Sequence, residues 1–195
     1  MKLRLLVALL ALAVAVPAVS FADQVITFEG YPDLTVFTNQ FPGVNFNGAT
    51  VLQLGGSLNP AFPPHSGINL VYNPVGPMSI QFASPVAYFQ GYFTYNQGLL
   101  LEAYDGLNNL LASYNSICTA NYIGSGTGCS PNELGLVTAA GIDHVLITGG
   151  GGNNFTLDDA QFTGSVNTVP EPGSMVLLGS GLLGVAGLLR RKLRM

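Results

Sequence analysis

The chain has 195 residues, 48% of them hydrophobic and only 8% charged, a balance that excludes a disordered chain, which would be poor in apolar residues and rich in charge. All six basic residues lie at the ends: Lys2, Arg4, Arg190, Arg191, Lys192 and Arg194. Between Asp23 and Val169 nine carboxylates stand against no Lys or Arg, and a surface without cations cannot neutralise phosphates, which excludes nucleic-acid binding.

The length suits one ordinary domain between two terminal signals. Residues 1–22 have the pattern of a secretory signal peptide. Lys2 and Arg4 give its positive region, Leu5 to Val16 its apolar region, and Pro17 ends that run. Ser20-Phe21-Ala22 offers small residues where signal peptidase reads, so cleavage is expected after Ala22, with Ala18 as the second choice. The apolar region is short for a membrane span of about 20 residues.

Residues 23–166 read as short strands between turns. "QVITF" opens the series, and "GVNFNGATVLQL" bends near Asn47-Gly48. "MSIQF" and "VAYFQGYFTY" are expected as two strands separated by Ala83-Ser84-Pro85. "LLLEAYDGLNNLLASY" has the form of a hairpin turning at Asp105-Gly106, and "HVLITG" and "NFTLDDAQFT" supply the last strands. Turn signals recur about every 8–12 residues, which predicts an all-β sandwich or barrel. Helical periodicity is missing outside the terminal segments.

Cys118 and Cys129 are the only cysteines. An even pair in an exported chain predicts a disulfide closing the glycine-rich loop between them. Two thiolates without a neighbouring histidine make a poor zinc site. His65 and His144 are the only histidines. Ser66, His65 and Asp143 can be named as a triad, but triads are defined by geometry, and no G-x-S-x-G or H-E-x-x-H occurs. Tyr88, Phe89, Tyr92, Phe93, Tyr95, Tyr104, Tyr114 and Tyr122 are divided between two roles. Alternating positions fill a core, and an exposed tyrosine beside Asn or Gln can stack a sugar ring.

Residues 167–195 close the chain. Val169-Pro170-Glu171-Pro172 precedes an apolar helix at 174–189 and a basic tail at 190–195. Such a helix is expected to enter the membrane, and Arg190, Arg191 and Lys192 to hold that end in the cytoplasm.

The order and spacing of these three parts resemble the PEP-CTERM sorting signal of exported proteins in Gram-negative bacteria. The resemblance implies exosortase as a processing partner, Val169, Pro170, Glu171 and Pro172 as the recognition motif, and a setting in extracellular polysaccharide or biofilm. The ectodomain more loosely resembles jelly-roll, galactose-binding-like domains and carbohydrate-binding modules, through "ITFEG", "LLLEAYDGLNNLLAS" and "FTLDDAQF". The region around Cys118 to Cys129 has the form of an insertion in that pattern. No cofactor is required by this pattern, but the resemblance implies a structural calcium near the chain ends. Glu29, Asp158 and Asp159 would supply hard oxygen ligands for it. The other reading gives one Asp to backbone bonds at a bulge and the other to water.

The function expected is that of a non-enzymatic exported surface or matrix protein, held at the membrane at least transiently and in contact with extracellular polysaccharide. A secreted polysaccharide hydrolase, using a carboxylate pair among Glu29, Glu102 and Glu133, and a ligand-free spacer are the alternatives.

Overall fold

A computed structural model describes residues 23–151 and 155–163. The compact unit that contains them runs Phe21–Ser165. The signal peptide, the transmembrane helix, the sorting motif and the basic tail fall outside the described residues. Among the described residues there is no helix, and hence none long and apolar enough to cross a membrane.

Ten strands form the domain: β1 (Asp23–Ile26), β2 (Val36–Phe37), β3 (Val44–Asn47), β4 (Ala49–Gln53), β5 (Asn69–Tyr72), β6 (Met78–Tyr95), β7 (Leu99–Tyr104), β8 (Leu110–Asn115), β9 (Glu133–Gly149) and β10 (Phe155–Thr163). They pair antiparallel in the order β2-β4-β5-β10-β6-β9-β7-β8, with β1 on β10 and β3 on β6. The all-β, jelly-roll-like expectation holds. Where only one face of a strand is covered, buried residues alternate with exposed or half-buried ones, whereas β5 and the start of β10 are buried on both faces. β3 alternates strictly between buried and exposed positions, and β7 buries Leu99, Leu101 and Ala103.

Two long strands join the layers of the sandwich. The first part of β6 pairs with β3 through Ser79–Phe82, and the last part pairs with β10 through Phe89–Tyr95. β9 runs beside both parts, and its register with β6 slips between Gln81 and Tyr88. This corrects the sequence expectation of two strands: Ala83-Ser84-Pro85 is a bulged bend inside one strand, the kind of place where a sheet tolerates proline. "HVLITG" is likewise only the second half of β9. The short strands β2 and β5 are additions to the expected set.

Both layers contribute to one core, including Phe37, Phe46, Val51, Phe93, Ile80, Leu101 and Val145. Phe28, Phe37 and Phe46 meet edge to face, with ring centroids 5.1–5.8 Å apart. Burying such rings supplies much of the stabilisation of a domain this size.

Candidate functional site

Two loops concern the site, one ahead of β5 and one between β8 and β9. Three carboxylates hold the loop before β5. Glu29 follows Phe28, whose φ of 60° is unusual for a bulky residue. The Phe28 ring is pinned in the core, so the turn is fixed and Glu29 is aimed at the loop. Glu29 Oε1 accepts the amides of Ile68 (2.9 Å) and Asn69 (2.8 Å). Gly67, at φ 55°, lets it approach: a Cβ there would collide with the Glu29 carboxylate.

Asp158 and Asp159 hold the other end of the loop. β10 slips register after Asp158, and Asp159 has φ 46°, so two adjacent carboxylates turn to the same loop. Asp158 Oδ2 accepts the amides of His65 (2.8 Å) and Ser66 (2.9 Å), and its Oδ1 accepts the Asp159 amide (2.7 Å). Burial, and then the charge of Asp159, push the Asp158 carboxyl up to about 6 against three amide bonds that favour the anion. Asp159 accepts Ser66 Oγ–H at 2.8 Å and pairs with His65 Nδ1 at 2.6 Å. The His65 ring lies flat on Tyr92, with centroids 3.4 Å apart.

The bulge reading is realised for Asp158, while Asp159 bonds the loop instead of facing water. Glu29 serves residues 68–69 and the Asp pair serves 65–66. Among the described residues no three His, Cys, Asp or Glu side chains gather as a metal-binding group. All-oxygen chemistry suits calcium, and the buried Asn69 Oδ1 has no hydrogen-bond partner.

The triad of Ser66, His65 and Asp143 does not form. Ser66 Oγ bonds Asp159, and Asp143 bonds Gln81 Nε2 (2.7 Å) and His144 (3.2 Å). The three glutamates also lie apart in the chain and in their bonding. Glu133 accepts the hydroxyls of Tyr95 and Tyr114 and the Ile117 amide, Glu29 holds the loop, and Glu102 lies on β7.

The second loop follows β8. Cys118 and Cys129 form a disulfide, with Cα atoms 6.6 Å apart. Asn121 is buried and replaces a missing strand neighbour: its Oδ1 accepts the Tyr95 amide (2.7 Å) and its Nδ2 donates to Phe93 O (2.9 Å). Glu133 ties down the loop's first residues through Ile117. Burial and the Glu133 bond push the Tyr95 hydroxyl up to about 12 and raise that of Tyr114 as well. The two loops touch: Ile123 N donates to Ala61 O (2.9 Å), and Phe62 and Tyr122 stack in parallel at 5.7 Å.

The tyrosines divide as alternation requires. Phe89, Phe93 and Tyr95 are fully buried. Tyr88, Gln90 and Tyr92 face outward from β6 and are half-buried. Gln90 Nε2 donates to Gln161 Oε1 (2.7 Å), and Leu136 beside Gln90 is 41% exposed. The result is an aromatic and amide strip on one sheet face.

Comparison with known proteins gives one assignment. The PEP-CTERM protein-sorting motif matches residues 168–192, and it marks an exported protein. Among curated proteins none matches the sequence. Of solved structures, a DUF4465 family protein from Bacteroides caccae is 13% identical, with TM-score 0.44 over 74% of this chain and 100% of its own. The module CsCBM6-3 from Clostridium stercorarium, solved with cellobiose, is 11% identical, with TM-score 0.37 over 67% of this chain and 92% of its own. A family 29 carbohydrate-binding module is 8% identical, with TM-score 0.41 over 77% of this chain and 99% of its own. No site residue is carried over from them.

Proposed function

We propose that the protein is a non-enzymatic surface or matrix component of a Gram-negative bacterium, sorted by exosortase and associated with extracellular polysaccharide. The observation that carries this reading is the sorting motif at 168–192. Signal peptidase removes residues 1–22, the ectodomain crosses, and the apolar helix at 174–189 halts in the bilayer behind the basic cluster. The prolines of Val169 to Pro172 keep the segment extended just outside the membrane, where exosortase reaches it.

The outward strip of Tyr88, Gln90, Tyr92 and Gln161 supports the polysaccharide contact, since a tyrosine face stacks a sugar ring while amides bond its hydroxyls. The bonding of Glu29, Glu133 and Asp158 to loop amides and tyrosines supports a non-enzymatic role. Replacing Pro170, Glu171 and Pro172 with alanine tests the sorting: the variant accumulates uncut in the membrane fraction. A variant that reaches the surface normally contradicts the reading.

Calcium at Glu29, Asp158 and Asp159 is a separate proposal, supported by the hard-oxygen chemistry of the three carboxylates alone; as they stand, the three do not gather around one point. Its check is a higher melting temperature in millimolar calcium, as mass action requires of a ligand bound by the native state. The shift is lost in Asp159→Ala, and a shift unchanged in that variant sinks the proposal.

A further inference from the structure

An open surface depression of about 670 Å³ lies between the Asn96–Gly98 turn after β6 and the disulfide loop. Its volume matches that of small-ligand sites, but one side faces solvent, so a ligand would rest in it and not be enclosed. Its wall presents amides and hydroxyls, from Asn96, Gln97, Thr119, Tyr122, Ser125 and Thr127, and includes no Lys, Arg, His, Asp or Glu.

Much of the wall is fixed by its own bonds. Ser116 Oγ accepts the Leu99 amide (2.8 Å) and donates to Cys118 O (2.9 Å). Thr127 Oγ1 donates to Ala120 O (2.6 Å), and Gly150 N donates to Gln97 O (2.7 Å). Phe62 backs the Tyr122 ring and holds its plane. The exception is Asn96, whose Oδ1 is buried without a hydrogen-bond partner. Native proteins leave few buried acceptors in that state. Oδ1 has no exposed surface as it stands, and it meets a donor in the depression once the amide turns about its one soft torsion.

We propose that this cavity binds an uncharged sugar residue of the polysaccharide, with Asn96 Oδ1 accepting from a sugar hydroxyl and the Tyr122 ring flanking the pyranose. This rests on the polysaccharide reading for the class of ligand and adds a second site, built by the disulfide loop and distinct from the β6 strip. The selection against acidic sugars is electrostatic. No cation lines the cavity, and nine carboxylates with no Lys or Arg between Asp23 and Val169 repel a uronate.

The test uses the exported, disulfide-bonded protein, its NMR amide signals, and a panel of glucose, galactose, mannose and N-acetylglucosamine with their β-linked trimers, against trigalacturonate. A neutral sugar shifts the Asn96 side-chain amide and the Gly98 and Gly150 signals saturably at millimolar concentration, and trigalacturonate does not. Asn96→Leu weakens that binding at least tenfold, about 1.4 kcal/mol, while raising the melting temperature because the orphaned acceptor is gone. Trigalacturonate binding as tightly, or affinity surviving Asn96→Leu, overturns the assignment. If no panel sugar shifts the cavity signals but binding sensitive to Tyr92→Ala persists, the cavity assignment alone fails. Silence at both places defeats the polysaccharide reading as well.

Discussion

Two loops meet at one end of this sandwich, and they are held by opposite means. The loop at 65–69 is tied by carboxylates to backbone amides, with no Lys or Arg near. The loop at 116–132 is tied by a disulfide, by the neutral amide of Asn121 and by Glu133. Asp158, its carboxyl pushed up to about 6, makes the first attachment sensitive to protonation, and the disulfide makes the second sensitive to oxidation. A domain that folds outside the cell, where thiols oxidise, can rely on the second, while the first responds to the pH it meets.

Removing Asp158 breaks the comparison most severely. Asp158→Ala leaves the amides of His65, Ser66 and Asp159 without their acceptor. These part-buried hydrogen bonds to a carboxylate are worth about 1 kcal/mol or more each, so denaturant titration shows a loss of about 3 kcal/mol. A loss under about 1 kcal/mol would mean that water replaces the carboxylate easily.

Replacing both cysteines with serine costs less, about 2–3 kcal/mol for so short a loop. That loss is the same at pH 5 and pH 8, because no group whose charge changes there touches the bond. A pH-dependent loss would show the two loops to be coupled.

The pH profile itself sharpens the contrast. Asp158 has its folded pKa raised from 3.8 to about 6, so between those values the folded state keeps a proton that the unfolded state has released. Stability therefore falls as pH rises from about 4 to 6, by about 2 kcal/mol. Asp33 and Asp105 are lowered, by hydrogen bonds led by those from Ser57 and Asn109 respectively, and their contribution is lost only on acidification below 3.8. Thermal melts at pH 4.5 and pH 7 check the sign. The slope flattens in Asp158→Asn, and a profile unchanged by that substitution assigns the effect elsewhere.

The smallest effect concerns the β6 strip. Tyr92→Ala weakens polysaccharide retention on affinity electrophoresis by a few-fold to tenfold, the scale of one aromatic contact. It also removes the surface on which His65 stacks. Unchanged retention would separate that strip from ligand binding.

What could be read from residue order follows the same division. Strand alternation, the hairpin at Asp105, the cysteine pair and the tail are local patterns, and each is visible within a few residues. The loop's attachments are not. His65 and Asp158 are 93 positions apart, and Glu29 reaches Asn69 across 40. The sequence singles out these carboxylates, because a Glu after the first strand and an Asp pair inside the last interrupt an apolar pattern, but it reads them as metal ligands or bulge residues and not as anchors of a loop. Their partners are backbone amides, which carry no sequence signature. Glu133 is harder still: its two tyrosines lie 38 and 19 residues away, and only the closed sandwich joins them. The continuity of β6 through Pro85 was hidden for another reason, since a proline ordinarily ends a strand and here sits at a bulge.

The disulfide and the sorting motif converge on one claim, that this chain leaves the cytoplasm and is cut as it arrives. Intact-mass measurement of the mature protein, from its native host and from one lacking exosortase, tests that claim most directly. The native host should yield a chain that begins at Asp23, lacks Arg190 to Met195 and is two hydrogen masses below the reduced form. The host lacking the protease should yield the full tail in the membrane fraction. A native protein that still carries Arg190 to Met195 would contradict the account and make the tail a permanent anchor.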